Sequence, residues 1–139
     1  MVTGASGAIP ISDQGRRLEH AKRYYDEIRK RDSDIAAIAE STGHSEDEIR
    51  SVKAHVFLIY HELGYESPAR FDPDYNMAVS WQRLIDGKDI QPEDFVLIEH
   101  ELAELTLMNT QGLSYSDAHT IASLTHDYHS LIKEKEVTE

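Results

Sequence analysis

The chain predicts an all-α domain, a compact bundle of about five to six helices around one buried central helix. Three observations carry that expectation. Apolar residues recur at helical spacing through most of the chain, with capping and stop residues between the runs. No stretch alternates apolar and polar residues in the way a half-buried strand requires. Finally, the segment from Pro92 to Asn109, PEDFVLIEHELAELTLMN, is apolar on nearly every face when wound as a helix, which places it among other elements rather than on a surface.

At 139 residues, with 40% hydrophobic and 29% charged residues, the composition is that of one globular domain able to bury a core. Cysteine is absent, which excludes disulfides and thiolate metal sites. No apolar run approaches the roughly 18 residues of a membrane span, and the start lacks the basic-then-apolar layout of a signal peptide. A net charge of −12 argues against broad electrostatic binding to nucleic acid, although an enzyme gripping its substrate through one local basic patch remains compatible.

Residues 1–11, small and glycine-rich, read as a flexible leader or linker, as at the end of a longer polypeptide. Ser12 or Asp13 can cap a first helix, from about Gln14 to Arg31, with Leu18, Ala21, Tyr24, Tyr25 and Ile28 inward and a basic, solvated outer face. A short helix around Ile35–Ala39 closes at Ser41-Thr42-Gly43, and Ser45-x-x-Glu48 is a capping box opening a long helix to about Leu63, ended by Gly64. This helix pair has a helix-turn-helix outline. Glu46, Asp47 and Glu48 stand where a DNA reader needs positive charge, so it is expected to be a structural hairpin.

The same long helix carries His55 and His61. Six residues apart on a regular helix, they diverge by more than a right angle and need partners from elsewhere. Gly64 to Tyr75 is a turn-rich connection whose Arg70-Phe71-Asp72-Pro73-Asp74 cluster favours an ordered, functional loop. Met77 to Ile85 is a short helix with Met77, Trp81, Leu84 and Ile85 inward and Arg83 to one side. Gly87 stops it, and Pro92 opens the central helix. A last helix starts at Ser114 or Ser116 and runs to about Lys133, with Ala118, Ile121, Ala122, Leu124 and Leu131 inward. Residues 12–133 thus form one domain, and 134–139 a fraying tail.

The chemistry concentrates on the central helix. His100, Glu101 and Glu104 interrupt an otherwise apolar surface, and buried ionisable groups are paired, metal-bound or catalytic. His100 and Glu104 are one helical turn apart and can touch. Zinc hydrolases of one large class use H-E-x-x-H on a helix. Here a glutamate replaces the second histidine, so a metal would need His100, Glu104 and outside ligands such as His61 or His119. The metal-free alternative uses a buried Glu101 or Glu104, raised by desolvation, as general acid or base beside His100, with Arg70 or Arg83 stabilising an anionic transition state. Such a set suits cleavage of a ribose-phosphate backbone. A third possibility is a polar network that only holds the helices in register.

RFDPD, SWQRL and HELxE, within a likeness extending from about His20 to Ser123, resemble a module found at the C-terminal end of bacterial polymorphic toxins and of phage minor head proteins. The resemblance implies an all-helical C-terminal effector domain, secreted or delivered into a target bacterial cytoplasm as part of a larger polypeptide and paired with a cognate immunity protein. It implicates His61, Arg70, Phe71, Asp72, Trp81, Arg83, His100, Glu101, Glu104 and His119. The last helix departs from the pattern, with His126 and His129 where lysines and tyrosines are expected, so those two stay outside the site. The expectation is therefore a toxin for interbacterial competition, a nuclease preferring RNA. His100, Glu101, Glu104, His61 and His119 are its catalytic set, and Arg70, Arg83, Asp72 and Trp81 bind substrate. No cofactor is expected. The alternatives are a hydrolase with a divalent metal in an HExxE-type site and a non-enzymatic phage head or interaction module.

Overall fold

The computed structural model describes residues 15–138. The expected leader 1–11, its cap and Glu139 lie outside them. Within them the fold is all-α: α1 (Gly15–Lys30), α2 (Asp34–Thr42), α3 (Glu46–Lys53), a single π turn (Ala54–Leu58), α4 (Tyr75–Asp86), α5 (Pro92–Gln111), α6 (Tyr115–Thr125) and α7 (Tyr128–Thr138). None of these helices is long and apolar enough to cross a membrane. The only strand-like feature among the described residues is an isolated antiparallel bridge, His61 to Ala69.

Helix ends follow the local chemistry. Ser45 and Glu48 form the expected capping box on α3. Asp74 caps α4 through the Met77 N–H at 3.0 Å, and Ser114 caps α6 through Asp117. At the start of α5 the Asp94 carboxylate takes the Gln91 N–H at 2.8 Å while Pro92 occupies the first turn. Gly112 ends α5 in the left-handed conformation, with φ +65°.

The core gathers Tyr25 and Ile28 of α1, Ile38 of α2, Ile49 and Val52 of α3, Phe57 of the π turn, Trp81 and Leu84 of α4, and Leu97 and Ile98 of α5. Trp81 touches Phe57 edge-on at 5.1 Å between ring centres, and Phe57 meets Tyr25 likewise at 4.8 Å. Beside this aromatic row lies a buried ion pair. Asp34 receives Lys53 Nζ at 3.0 Å and Trp81 Nε1 at 3.1 Å, and Lys53 also donates to the Arg31 carbonyl. These bonds tie α2, α3 and α4 together at one point. Tyr128 and Ile132 dock α7, with the Tyr128 hydroxyl 2.9 Å from Ser80 on α4.

Two expected helices are shorter than their apolar patterns. The α3 segment ends at Leu58 rather than Leu63: the Ile59 N–H reaches back five residues to Ala54, and Ile59 is already extended. The last helix is divided in two, since the chain leaves helical geometry at His126 before α7 starts at Tyr128. That break also overturns part of the expected inward stripe. Ala118 and Ala122 are buried against the bundle, but Ile121 is 44% and Leu124 80% exposed. Phe95, on the outer face of α5, is 42% exposed.

Lys53→Met strands the Asp34 carboxylate in the core and should cost about 3 to 5 kcal/mol. The expected reading is a lower denaturant midpoint at unchanged slope. A midpoint equal to that of the wild type would remove the ion pair from the interactions that hold α2 to α3.

Candidate active site

One carboxylate gathers side chains from three elements. Glu104 of α5 is fully buried, and its two oxygens have different partners. Oε1 lies 2.7 Å from His55 Nε2. Oε2 lies 3.0 Å from His100 Nε2 and 3.1 Å from His119 Nδ1. His55 comes from the π turn, His100 from the preceding turn of α5 and His119 from α6. Glu101, also fully buried, brings Oε2 to 3.4 Å from His55 Nε2. The one-turn spacing of His100 and Glu104 thus makes the contact it predicts.

His100 is oriented from behind. Its Nδ1 lies 2.9 Å from the His126 carbonyl oxygen, in the bend between α6 and α7. A carbonyl only accepts, so Nδ1 carries the hydrogen and Nε2 is the atom turned toward Glu104 and His119. His100 Nε2 and His119 Nδ1 are themselves 3.2 Å apart. The two nitrogens and Glu104 Oε2 therefore form a triangle with edges of 3.0, 3.1 and 3.2 Å. Hydrogens serve at most two of its edges. If both nitrogens donate to the oxygen, two N–H groups oppose each other; if one donates to the other, a lone pair faces the carboxylate.

Burial alone would raise the Glu104 carboxyl, but hydrogen bonds with His100, His119 and His55 outweigh it and hold the group well below the usual carboxylate range. The expectation of a raised glutamate is reversed at Glu104 because imidazoles surround it in place of water. Burial likewise works against the imidazolium forms of His55 and His100. The Glu104 and Glu101 carboxylates override it, raising His55 and lifting His100 to about 8. Burial, then the charges of Glu104 and Glu101, push the Tyr115 phenol up, so it stays protonated.

His61 stands beside the cluster rather than in it. Because the helix ends at Leu58, the chain turns back and His61 meets His55 after all, with ring centres 4.7 Å apart. Its Nε2–H donates to the His55 carbonyl at 2.7 Å, and burial lowers its pKa, favouring that neutral donor. Phe71 stacks on His61 at 4.6 Å and 21° and packs on Tyr115 at 4.9 Å. Two backbone hydrogen bonds of 2.8 Å between His61 and Ala69 hold the loop in this position. A cleft of about 510 Å³ opens here, lined by His55, Ile59, Tyr60, His61, Leu105 and Tyr115. His119, with 23% of its side chain exposed, gives the cluster a second contact with solvent.

Of the residues singled out from the sequence, His100, Glu101, Glu104 and His119 come together, and His61 buttresses them. Arg70 lies beside Tyr60, which lines the cleft, with its Nε 3.2 Å from the Leu58 carbonyl and its guanidinium 4.9 Å above the exposed Tyr60 ring. Asp72 is half-buried in the same loop, one residue after Phe71. Two substrate-binding assignments need correction. Trp81 is a core residue, its indole N–H fixed on Asp34. Arg83 grips both oxygens of Asp94 at 2.7 and 2.6 Å, a forked ion pair that raises its pKa and locks α4 to the start of α5. Asp94 precedes His100 by six residues, about 9 Å along a helix, so this arginine serves the scaffold. His55 and Tyr115 were missed from the set. Tyr115, whose hydroxyl is 3.5 Å from His119 Nδ1, sits one turn before His119, and that spacing was its only signal.

Comparison of the chain with family models, with curated proteins and with solved structures finds no match.

His61→Phe retains a ring against Phe71 but removes the donor to the His55 carbonyl. The variant should lose about 1 to 3 kcal/mol of stability, seen as a lower urea midpoint with helical content unchanged. Stability equal to that of the wild type would show that this bond does not support the π turn.

Proposed function

We propose that the protein is a metal-dependent hydrolase of the effector type its sequence resembles: a nuclease toxin, with RNA as its preferred substrate. One observation carries the reading, the convergence of His100 Nε2, His119 Nδ1 and Glu104 Oε2 at 3.0 to 3.2 Å, with His100 oriented by a backbone carbonyl. An imidazole fixed through its other nitrogen is the usual arrangement of a metal-binding histidine. Two imidazoles and a carboxylate leave a coordination position for water or substrate. Between the two sequence-based alternatives, this convergence favours the divalent metal.

His100, His119 and Glu104 would hold a divalent ion, which would supply Lewis-acid chemistry: polarising a phosphoryl oxygen and acidifying water. In the hydrolysis proposed, the bond from the water oxygen to phosphorus would form as the bond to the leaving ribose oxygen breaks, and the proton released by the water would end on the leaving oxygen. The cleft admits substrate on the His55 side. Tyr60, which lines the cleft and is 59% exposed, stacks with Arg70, a platform suited to one base and one phosphate of a single strand. Local recognition of this kind fits a protein whose net charge of −12 opposes general nucleic-acid binding. In the biological setting that the resemblance implies, the domain reaches the cytoplasm of a target bacterium as part of a larger polypeptide, and a cognate immunity protein protects the producer.

The test is induced cytosolic expression in a bacterium, wild type beside Glu101→Gln, followed by assay of total RNA and DNA and of the purified chains with and without a chelator. The wild type should arrest growth and degrade RNA. Glu101→Gln should lose activity by roughly 10- to 100-fold, and the chelator should abolish the wild-type reaction until Zn²⁺ or Mn²⁺ is restored. Activity that survives complete chelation would move the reading to metal-free acid–base chemistry. A folded wild type harmless to cells and inert toward nucleic acid would leave the interaction-module reading in its place.

A further inference from the structure

We infer that the cluster is a two-ion centre in which the Glu104 carboxylate bridges a pair of divalent cations. The chemistry assigned to this centre rests on the hydrolase reading above; its stoichiometry rests on geometry alone. The donor atoms fall into two sets. His100, His119 and Glu104 form one, His55, Glu101 and Glu104 the other, and within each set the donor atoms lie within 4.8 Å of one another. Glu104 is the only member of both, and it enters each through a different oxygen: Oε2 toward His100 and His119, Oε1 toward His55. Separate imidazole partners on the two oxygens are what a bridging carboxylate requires, and not what one chelating a single ion requires.

Bond lengths agree with the assignment. An ion about 1 Å off the plane of the His100–His119–Glu104 triangle lies about 2 Å from each corner, the length of zinc bonds to nitrogen and oxygen. Such an ion would also remove the opposition of two N–H groups that arises when both imidazoles donate to Glu104. On the other side, His55 Nε2 stands 2.7 Å from Glu104 Oε1 and 3.4 Å from Glu101 Oε2, so one ion can replace the hydrogen between them. Imidazole and carboxylate donors without thiolate suit zinc, manganese and their first-row neighbours. Side chains projecting inward from facing helices are how metal centres are built into helical bundles generally.

The charge balance gives the pair a function. As metal ligands the three imidazoles would be neutral, so the two carboxylates carry two negative charges and two divalent ions would leave the centre net positive inside a chain of net charge −12. A phosphodiester is thereby attracted to the one place where it can react. Ions about 3.5 to 4 Å apart would suit the clamping of the attacking and leaving oxygens in an in-line phosphoryl displacement, in keeping with a phosphodiester substrate.

The experiment takes the full chain, strips it with a chelator, reloads it with Zn²⁺ or Mn²⁺, and counts bound metal by elemental analysis. The Mn²⁺ form is also examined by electron paramagnetic resonance. Two equivalents per chain are expected, with an exchange-coupled spectrum arising from the shared carboxylate. His119→Asn and Glu101→Gln should each fall to one equivalent and show the hyperfine pattern of an isolated ion. If the wild type saturates at one equivalent, or binds two without coupling, the inference is overturned, yet the hydrolase reading stands as long as chelation abolishes activity. If it binds none, the inference fails, and activity in the chelated chain then decides the reading separately. Should either variant misfold, the wild-type count and spectrum decide alone.

Discussion

A carboxylate removed from water must be compensated by its surroundings, and the position of Glu104 makes that constraint central to the molecule. No single helix can surround it. His100 reaches it along α5, His119 across the α5–α6 contact, and His55 from a turn that must first abandon α-helical geometry. The elements that supply those imidazoles are therefore fixed relative to one another by the same set of bonds. Removing the carboxylate would cost more than one bond, because three rings would lose a common partner.

The rest of the fold keeps this arrangement in place through contacts of its own. The Asp34–Lys53–Trp81 cluster joins α2, α3 and α4, and its Trp81 packs edge-on against Phe57, a core residue of the π turn. Arg83 and Asp94 align α4 with the start of α5. Phe71 closes the site from the loop, in van der Waals contact with His61 and Tyr115 at once. Burying these polar anchors is tolerable because each charged group has a directional partner.

Much of the architecture was legible in the sequence, for definite reasons. Ser45 and Glu48, Gly87 and Pro92 mark helix ends through local bonding, which spacing alone reveals. His100, Glu101 and Glu104 stood out because they conflict with an apolar helix. His55 did not, since its role depends on a helix ending six residues before the nearest glycine, and nothing in Val56-Phe57-Leu58-Ile59 announces a π turn. Arg83 and Trp81 misled for the opposite reason. Arginine and tryptophan serve scaffolds as readily as ligands, and only their partners Asp94 and Asp34 distinguish the two roles. The break at His126 was hidden in the same way, its contribution lying in a backbone carbonyl rather than an imidazole.

The π turn has a consequence for how this chain can change length. One extra residue is wound into Ala54–Leu58, so its hydrogen bonds span five residues instead of four. His55, Val56, Phe57 and Leu58 each carry a contact of their own, to Glu104, to the core or to Arg70, so a deletion that restored ordinary helical bonding here would lose one of them. A few positions later, in the exposed bend around Glu66, lost or gained residues change only the size of a solvent-facing turn closed by the His61–Ala69 bridge. Two neighbouring stretches of one connection are thus under opposite constraints: the first is fixed to the residue, and the second is free to vary.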